Sequence, residues 1–301
     1  MTDRSERGER GEGPRRPVPE GAAGRRPRAA RTRPRWAVNC SILFTELPLL
    51  ERPAAARAAG FDAVEFWWPW PGEPVPSAAD VNAFCAAIEE ARVRLIGLNF
   101  YAGDMPAGER GVLSDPARAT EFRESVAVLV RIAERTGVRS FNALYGQRLD
   151  GVAAAEQDRV ATANLVFAAH AVAALDGTVL IEPLARGMNG AYPLETAADA
   201  MAVVRRVRAA GAANAKFLFD AFHLTVNGDD LEKVAREHAA DIGHVQIADA
   251  PGRGRPGTGE IDFARLFRVL DAIGYDGRVA LEYRPDGPTE KEFGWMEEQR
   301  A

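Results

Sequence analysis

The chain has 301 residues, of which 47% are hydrophobic and 27% are charged, and it carries a formal net charge of −5. This length suits one or two domains, and the hydrophobic share supports a large core, which excludes disorder over the whole chain. The two cysteines, Cys40 and Cys85, are isolated in the sequence, which excludes a zinc framework or a disulfide scaffold and is typical of a cytoplasmic protein.

The N-terminal segment differs in charge from the rest of the chain. Residues 1–35 hold 11 Arg against five acidic residues, a net charge of +6, so the remainder carries about −11. The Arg, Gly and Pro content predicts a disordered basic tail, and the missing apolar stretch argues against a secretory signal. An acidic body disfavours nucleic acid as a partner, and no apolar run approaches the ~20 residues that span a membrane. We expect one catalytic domain over residues 36–301.

Eight short apolar runs, rich in β-branched or aromatic residues, recur along the body of the chain. Near-continuous apolar runs are typical of parallel strands that are buried on both faces. The predicted strands are Ala37–Ser41, Ala63–Trp67, Leu95–Phe100, Ser140–Leu144, Val179–Pro183, Lys216–Asp220, His244–Ala248 and Val279–Tyr283.

The segments between these runs have apolar residues at helical spacing. Phe122, Val126 and Leu129 fall on one face of such a segment, and Gly137 ends it. In the last segment Asp262 is the predicted N-cap. The predicted helices are Phe122–Gly137, Ala153–Leu175, Leu194–Gly211, Asp229–Ala240 and Asp262–Gly274.

Strands that alternate with helices predict a parallel sheet with right-handed crossovers. Eight such units are the number that closes a barrel, so the predicted fold is an α/β fold of the (β/α)8 TIM barrel type. An open, doubly wound sheet is the alternative. The chain has no GxGxxG motif after the first strand, which disfavours that alternative.

Polar residues stand at the carboxyl ends of four consecutive predicted strands, where a barrel of this type has its active site. They are Glu182, Asp220, Gln246 and Glu282. A single carboxylate in an apolar run is often half of an ion pair, but four such positions in succession are hard to explain as packing. Oxygen ligands suit Mg²⁺ or Mn²⁺, which would polarise a substrate carbonyl, and the need for a metal stays open. The two glutamates are the predicted acid/base pair.

Two further residues are candidates for binding the substrate. His223 follows strand six by three residues and can hydrogen-bond a substrate oxygen, or else it only packs. Arg253 lies in a Gly-rich loop after strand seven, where a guanidinium matches a carboxylate, or else it is solvated. Glu65 of strand two either faces the barrel mouth or pairs with an interior cation.

Four segments together resemble the hydroxypyruvate isomerase family, which belongs to the xylose isomerase-like barrels. They are residues 39–46, 60–65, 103–111 and 244–249 with the Gly-rich loop that follows. The similarity runs in order from about Trp36 to Trp295. The resemblance implies an enzyme that interconverts hydroxypyruvate and 2-hydroxy-3-oxopropanoate (tartronate semialdehyde). The expected partner is therefore a small-molecule hydroxy-keto acid substrate.

The resemblance also implies roles for individual residues. The acid/base glutamates of the family match Glu182 and Glu282, and its metal positions match Glu182, Asp220, Gln246 and Glu282. Related sugar epimerases have His where this chain has Gln246, and an amide oxygen is a weaker ligand for many transition metals. Ala185 stands where the family commonly has Asn. This departure keeps a four-carbon acid open as substrate, as in 2-oxo-tetronate isomerases.

The expected mechanism is proton transfer through an enediolate, with the substrate carboxylate held by Arg253 and His223. Three other functions stay open. A ketose 3-epimerase would use the same two glutamates on a neutral sugar. An endonuclease of the same superfamily would need a His-rich metal site. A binding barrel would bind a ligand without catalysing a reaction. Trp67, Trp68 and Trp70 either cover the site or form a subunit contact, so a homo-oligomer is open as well.

Overall fold

A computed structural model describes residues 1–2 and 34–298 of a chain that divides into two units, Met1–Arg31 and Thr32–Ala301. The second unit contains the fold. Apart from its first two and last two residues, the predicted disordered tail over residues 1–35 lies outside the described residues. Within the described part of the chain, none of the helices is long and apolar enough to cross a membrane.

Eight parallel strands pair in chain order, and the last strand pairs with the first to close a barrel. This closure confirms the predicted (β/α)8 fold and excludes the open sheet. The strands are β1 (Arg35–Asn39), β2 (Ala63–Phe66), β3 (Arg94–Asn99), β4 (Ser140–Asn142), β5 (Thr178–Ile181), β6 (Ala215–Asp220), β7 (Ile242–Ile247) and β8 (Arg278–Leu281).

Helices follow the strands and cover the outside of the barrel. On α3 the buried residues include Phe122, Val126 and Leu129, as the apolar spacing predicts, and Gly137 ends the helix with φ of 78°. The helices are α1 (Arg52–Ala58), α2 (Ala78–Glu90), α3 (Ala119–Thr136), α4 (Ala154–Ala173), α5 (Ala197–Ala209), α6 (Ala221–Val226), α7 (Leu231–Glu237), α8 (Phe263–Ala272) and α9 (Trp295–Glu298).

Most strands end earlier than the apolar pattern predicts. β5 ends at Ile181 and β8 at Leu281, so Glu182 and Glu282 are the first residues beyond their strands. The apolar pattern reports burial rather than backbone pairing, and burial continues past the last strand residue, as at Tyr283, which is fully buried. The strand ends therefore deliver both glutamates to the same rim of the barrel.

The barrel interior is layered. Ala37, Ala63 and Ala280 are fully buried and form a small cluster with Ile96, separate from the large core between strands and helices. Side chains alternate between the two faces of a strand, so the residue two positions after each alanine also points inward. Polar side chains thus form the next layer towards the carboxyl ends of the strands.

Candidate active site

Four buried side chains meet at the carboxyl ends of the strands. Their potential ligand atoms all lie within 4.8 Å of one another. Three of them, Glu182, Asp220 and Glu282, are predicted metal positions, and the fourth is His223, which the sequence suggested as a substrate-binding residue. The group opens onto a cavity of about 700 Å³ that is also lined by Arg253. The fold therefore brings together the predicted site residues of β5, β6 and β8.

Glu182 is buried beside other negative charge. Asn142, the last residue of β4, donates from Nδ2 to Oε2 of Glu182 at 2.6 Å, and the Tyr192 hydroxyl donates to the Glu182 carbonyl at 3.1 Å. Burial raises the pKa of Glu182 well above its usual range, and the charges of Glu282 and Asp220 raise it further. This carboxyl group therefore tends to hold a proton.

Glu282 is held by more donors than Glu182. Its Oε1 accepts from Nδ2 of Asn39 at 2.8 Å and from the indole Nε1 of Trp67 at 2.8 Å. Its Oε2 forms an ion pair with the guanidinium of Arg253. Burial raises the pKa of Glu282, and the Arg253 charge opposes that rise. The two glutamates thus have different surroundings, with Glu282 the more strongly stabilised as a carboxylate.

Asp220 has one satisfied and one unsatisfied oxygen. Its Oδ1 caps α6 by accepting from the backbone N–H groups of Phe222 at 2.7 Å and His223 at 3.1 Å. Its Oδ2 is buried and has no hydrogen-bond partner among the described residues. Burial raises the pKa of Asp220 to about 7, and the Glu282 charge adds to this rise. A buried carboxylate oxygen without a donor is suited to bind a cation or to carry a proton.

Gln246 presents a second unsatisfied oxygen. Its Nε2 donates to Oε1 of Glu65 at 2.7 Å and to Oε1 of Glu282 at 3.2 Å. Because both neighbours are carboxylates, the amide nitrogen must face them, and Oε1 of Gln246 is left buried without a partner. Two such oxygens beside two glutamates fit a hard divalent cation, which prefers oxygen ligands.

His223 is oriented by the backbone of the β5 loop. Its Nδ1 accepts from the N–H of Ala185 at 2.9 Å, so in the neutral ring the proton lies on Nε2. That atom is 3.7 Å from Oε1 of Glu182 and 3.8 Å from Oδ2 of Asp220. Burial lowers the pKa of His223 well below its usual range, helped by the charges of Arg253 and Arg110. A protonated Nε2 suits His223 as a hydrogen-bond donor rather than as a metal ligand.

Arg253 is fixed by its own loop. Asp249, at the start of that loop, accepts through Oδ2 from the backbone N–H groups of Gly257 and Gly259, both at 2.8 Å. A side chain at Gly259 would meet the Ala250 carbonyl oxygen at 2.0 Å, so only glycine fits there. This loop brings Arg253 to Glu282. The binding of the substrate carboxylate by Arg253 stays a prediction, and its observed partner is a glutamate.

Glu65 lies inside the barrel rather than at the mouth. Its Oε2 is 2.6 Å from Nε2 of His244, and its Oε1 accepts from Nδ2 of Asn39 at 3.0 Å. Since β2 and β7 are not neighbouring strands, the contact between Glu65 and His244 crosses the barrel interior. A layer of hydrogen bonds therefore supports Gln246 and Glu282 from below.

Several residues that contact the glutamates were not predicted as site residues. Asn39 contacts Glu282, Asn142 contacts Glu182 and His244 contacts Glu65, while Trp67 was expected either to cover the site or to form a subunit contact. A signal was present in the sequence, because Asn39 and Asn142 are polar residues at the ends of apolar runs, just as the glutamates are. The predicted strand Ser140–Leu144 instead placed Asn142 in mid-strand.

Comparisons with known proteins agree with this geometry. A family model described as xylose isomerase-like TIM barrel matches residues 53–299. A Streptomyces coelicolor protein assigned as a hydroxypyruvate isomerase is 52% identical over 265 residues, which cover 87% of this chain and 95% of that protein. The 2-oxo-tetronate isomerase of Cupriavidus necator is 37% identical, with 87% and 97% covered. The hydroxypyruvate isomerase of Escherichia coli is 33% identical, with 88% and 99% covered.

Solved structures share the barrel. A Brucella melitensis structure described as an AP endonuclease of family 2 is 31% identical, with a TM-score of 0.79, and the match covers 88% of this chain and 99% of that one. The chain therefore belongs to the xylose isomerase-like TIM barrel family. Within these barrels it belongs to the hydroxypyruvate isomerase family, which confirms the resemblance seen in the sequence.

Proposed function

We propose that this chain interconverts hydroxypyruvate and 2-hydroxy-3-oxopropanoate, as an isomerase of the aldose–ketose type. The observation that carries the proposal is the pair of buried glutamates, Glu182 and Glu282, with ligand atoms within 4.8 Å of each other and pKa values raised by burial. Acid and base groups poised in this way suit proton transfer next to a carbonyl group. The 52% identity to the Streptomyces coelicolor protein supports the choice of substrate.

The reaction moves one proton between neighbouring carbons. In the direction from hydroxypyruvate, a base removes a proton from the hydroxymethyl carbon, and the electron pair forms an enediolate. A proton is then returned to the former carbonyl carbon, while the hydroxyl proton passes from one oxygen to the other. We assign Glu282 as the base, because Arg253 stabilises its carboxylate, and Glu182 as the group that delivers the proton, because burial and the charges of Glu282 and Asp220 raise its pKa. In reverse the roles exchange.

His223 and Trp67 complete the polar surroundings of the substrate. The Nε2–H of His223 faces the cavity between Glu182 and Asp220 and is placed to donate to a substrate oxygen. Trp67 donates to Glu282 and also lines the cavity, so its indole both holds the base and limits water around it. Neither group changes its charge in this scheme.

The ligand set that we propose for a divalent metal such as Mg²⁺ or Mn²⁺ is Glu182, Asp220, Gln246 and Glu282. A metal held there would polarise the substrate carbonyl and stabilise negative charge on its oxygen. The unpartnered buried oxygens of Asp220 and Gln246 support this set. The family resemblance does not decide whether the enzyme requires a metal, so the first activity assay includes a chelation step.

The test is turnover of hydroxypyruvate by the purified protein, coupled to NADH-dependent reduction of the product, before and after chelation and metal addition. Glu182→Gln and Glu282→Gln should each lose about 10²- to 10⁴-fold in kcat, the usual contribution of a general acid or base. Glu89→Gln is a matched control, because that glutamate pairs with Arg135 on the outer surface. Near-normal kcat in both site variants would reject the assignment.

A four-carbon acid is the second candidate substrate. The relative from Cupriavidus necator is named 2-oxo-tetronate isomerase and is 37% identical with 97% of its length covered, and a cavity of about 700 Å³ accepts either acid. The ratio of kcat/KM for the two acids decides between them. A kcat/KM that is higher for 2-oxo-tetronate would make that acid the proposed substrate.

Other functions have less support. The Brucella melitensis neighbour is described as an endonuclease, but His223 is the one histidine in the metal-capable group formed by the described residues. A matching 3-epimerase structure, D-psicose 3-epimerase from Clostridium cellulolyticum H10, is 20% identical and shows the shared fold alone. We propose a cytoplasmic enzyme with a small-molecule substrate, since isolated cysteines suit a reducing compartment. A homo-oligomer stays open.

A further inference from the structure

An arginine outside the predicted site faces the same cavity. Arg110 lies in the loop after β3, within the segment 103–111 that contributes to the family resemblance, and it lines the cavity together with Glu182 and Arg253. Neither the acid/base chemistry nor the proposed metal set uses it. Its surroundings therefore need a separate explanation.

Every partner of the Arg110 guanidinium among the described residues is neutral. Its Nε donates to Oδ1 of Asn189 at 2.8 Å, and its Nη1 donates to the carbonyl oxygens of Met105 at 3.0 Å and Glu109 at 2.7 Å. Within residues 34–298 no carboxylate forms an ion pair with Arg110, and its Nη2 donates no hydrogen bond. A guanidinium that is partly withdrawn from water and has no counter-ion is suited to bind an anionic ligand.

The loop around Arg110 is built to hold the guanidinium in place. The Glu109 side chain points away from the cavity, where it accepts from the backbone N–H of Asp104 at 2.6 Å and pairs with Arg118. Gly111 has φ of +105°, and a Cβ there would meet the carbonyl oxygen of Leu144 at 2.1 Å. The glycine thus allows a close approach of two loops that no other residue would permit.

A second loop fixes the acceptor of Arg110. Asn189 donates from Nδ2 to the carbonyl oxygen of Ala185 at 2.9 Å, while its backbone carbonyl accepts from Nε2 of Gln147 at 3.0 Å. The Arg110 carbonyl itself accepts from the N–H of Gly146 at 3.0 Å. Three loops therefore position one guanidinium, as expected of a binding group and not of a solvated arginine.

Two neighbouring arginines repel the charge of Arg110. Burial lowers the pKa of Arg110, and the positive charges of Arg253 and Arg284 lower it further. Arg253 already has Glu282 as its counter-ion. The other half-buried arginine of the cavity, Arg52, donates to the carbonyl oxygens of Leu47 and Cys40 and has Glu46 nearby, so it belongs to the end of β1.

We propose that Arg110 is the residue that binds the carboxylate of the substrate, with Nη2 as its free donor, and that it selects acids over neutral ketoses. This inference rests on the proposed function, because it names the part of the substrate that Arg110 recognises. Arg253 then keeps Glu282 ionised instead of clamping the substrate. The two arginines thus have separate tasks, one in binding and one in chemistry.

The experiment compares Arg110→Gln with Arg123→Gln. Arg123 is a matched control, because its Nε also donates to an asparagine, Asn164, at 2.9 Å, but on the outside of the barrel. For Arg110→Gln we expect KM for hydroxypyruvate to rise about 10- to 100-fold, the worth of a charged hydrogen bond, with a smaller change in kcat. Arg253→Gln should instead lower kcat.

Calorimetric titration with glycerate, an acid that has no ketone and cannot be isomerised, gives a second measurement. Its Kd should rise in Arg110→Gln by the same factor as KM and stay at the wild-type value in Arg123→Gln. Because this titration needs no turnover, it tests Arg110 even if the proposed reaction fails. Arg110→Lys, which keeps the positive charge but loses the fixed Nη2 donor, should bind glycerate with intermediate strength and covers the case of a misfolded Gln variant. A glycerate Kd within twofold of wild type in either Arg110 variant would overturn the inference.

Discussion

The amide nitrogen of Gln246 lies 2.7 Å from Oε1 of Glu65, and this contact determines which way the amide points. A carboxylate can only accept, so Glu65 holds the nitrogen towards the barrel interior and leaves the oxygen of Gln246 for another partner. Asn39 links the same Glu65 oxygen to Glu282, with distances of 3.0 Å and 2.8 Å. Glu65 therefore orients two residues of the proposed metal set without belonging to it.

Replacement of Glu65 by Gln tests this orienting role. A carboxamide can present its own N–H₂ to Gln246, so the amide of Gln246 is no longer held in one orientation. We expect the affinity for Mn²⁺, measured by calorimetric titration of the chelated protein, to fall about 10- to 100-fold, as is usual for groups that orient metal ligands. Glu156→Gln is the control, because Glu156 pairs with Arg159 on an exposed helix face. Unchanged Mn²⁺ affinity in Glu65→Gln would show that the contact has no such role.

The metal-free protein should lose stability as the pH rises. The pKa of Asp220 is raised from 3.8 to about 7 by burial, and the pKa values of both glutamates are raised as well. The folded protein thus holds protons that the unfolded chain releases, so the stabilisation is complete below about pH 4 and is lost as the pH passes through about 7. Thermal unfolding of the chelated protein between pH 5 and 8 measures this decline.

Asp220→Asn should flatten that decline. Asn keeps an oxygen that can cap α6 but has no proton to lose, so part of the pH dependence disappears. Asp230→Asn is the matched control, because Asp230 caps α7 in the same way with distances of 3.0 Å and 3.1 Å but is exposed. An equally steep decline in Asp220→Asn would assign the pH dependence to other groups.

Trp67 should affect the pH at which the base becomes active. Its indole N–H donates to Glu282 and lowers the pKa of that group, so Trp67→Phe should raise it. We expect the acid limb of the kcat/KM profile to move to higher pH, with a loss of about 10-fold at pH values below the former midpoint, the worth of one such hydrogen bond. Trp68→Phe removes a comparable bond, to the Glu73 carbonyl at 3.0 Å, and should leave the limb in place. A limb that moves equally in both variants would contradict the assignment.

Asp249 should matter for both stability and turnover. Its carboxylate accepts four backbone N–H groups of the loop that carries Arg253, at distances from 2.8 Å to 3.1 Å. Asp249→Ala leaves these donors without an acceptor, so we expect a loss of about 2–4 kcal/mol in the free energy of unfolding by urea. Because Arg253 loses its support, kcat should fall too. The control Asp150→Ala, at an exposed position, should change neither the free energy of unfolding nor kcat. Wild-type stability in Asp249→Ala would show that the loop does not need this carboxylate.

The fold could be predicted because its signals are local. Each buried strand appears as an apolar run, and α3 appears as an apolar stripe that ends at Gly137. The helices α1, α2, α6 and α9 are not among the predicted ones, and α6 depends on a cap from Asp220, a residue that reads as the end of a strand. Most predicted strands end too late in the sequence, because side chains stay buried beyond the last residue that pairs with a neighbouring strand.

The acid groups of the site could also be predicted, since the carboxyl ends of neighbouring strands must meet. The hydrogen bonds around them could not. Glu65 and His244 are 179 residues apart and lie on strands that do not pair, so their contact depends on how the layers of side chains cross the closed barrel. The ion pair of Arg253 with Glu282 likewise depends on the folded loop, which no local pattern reveals.

The layer formed by Ala37, Ala63 and Ala280 has a consequence for the order of events in turnover. This layer is fully buried and lies on the amino-terminal side of the polar residues, so the barrel is closed at that end. Substrate and product must therefore use the same opening, at the loops beyond the strands. A product that has not yet left then blocks the next substrate, so competitive product inhibition is a property of the architecture itself.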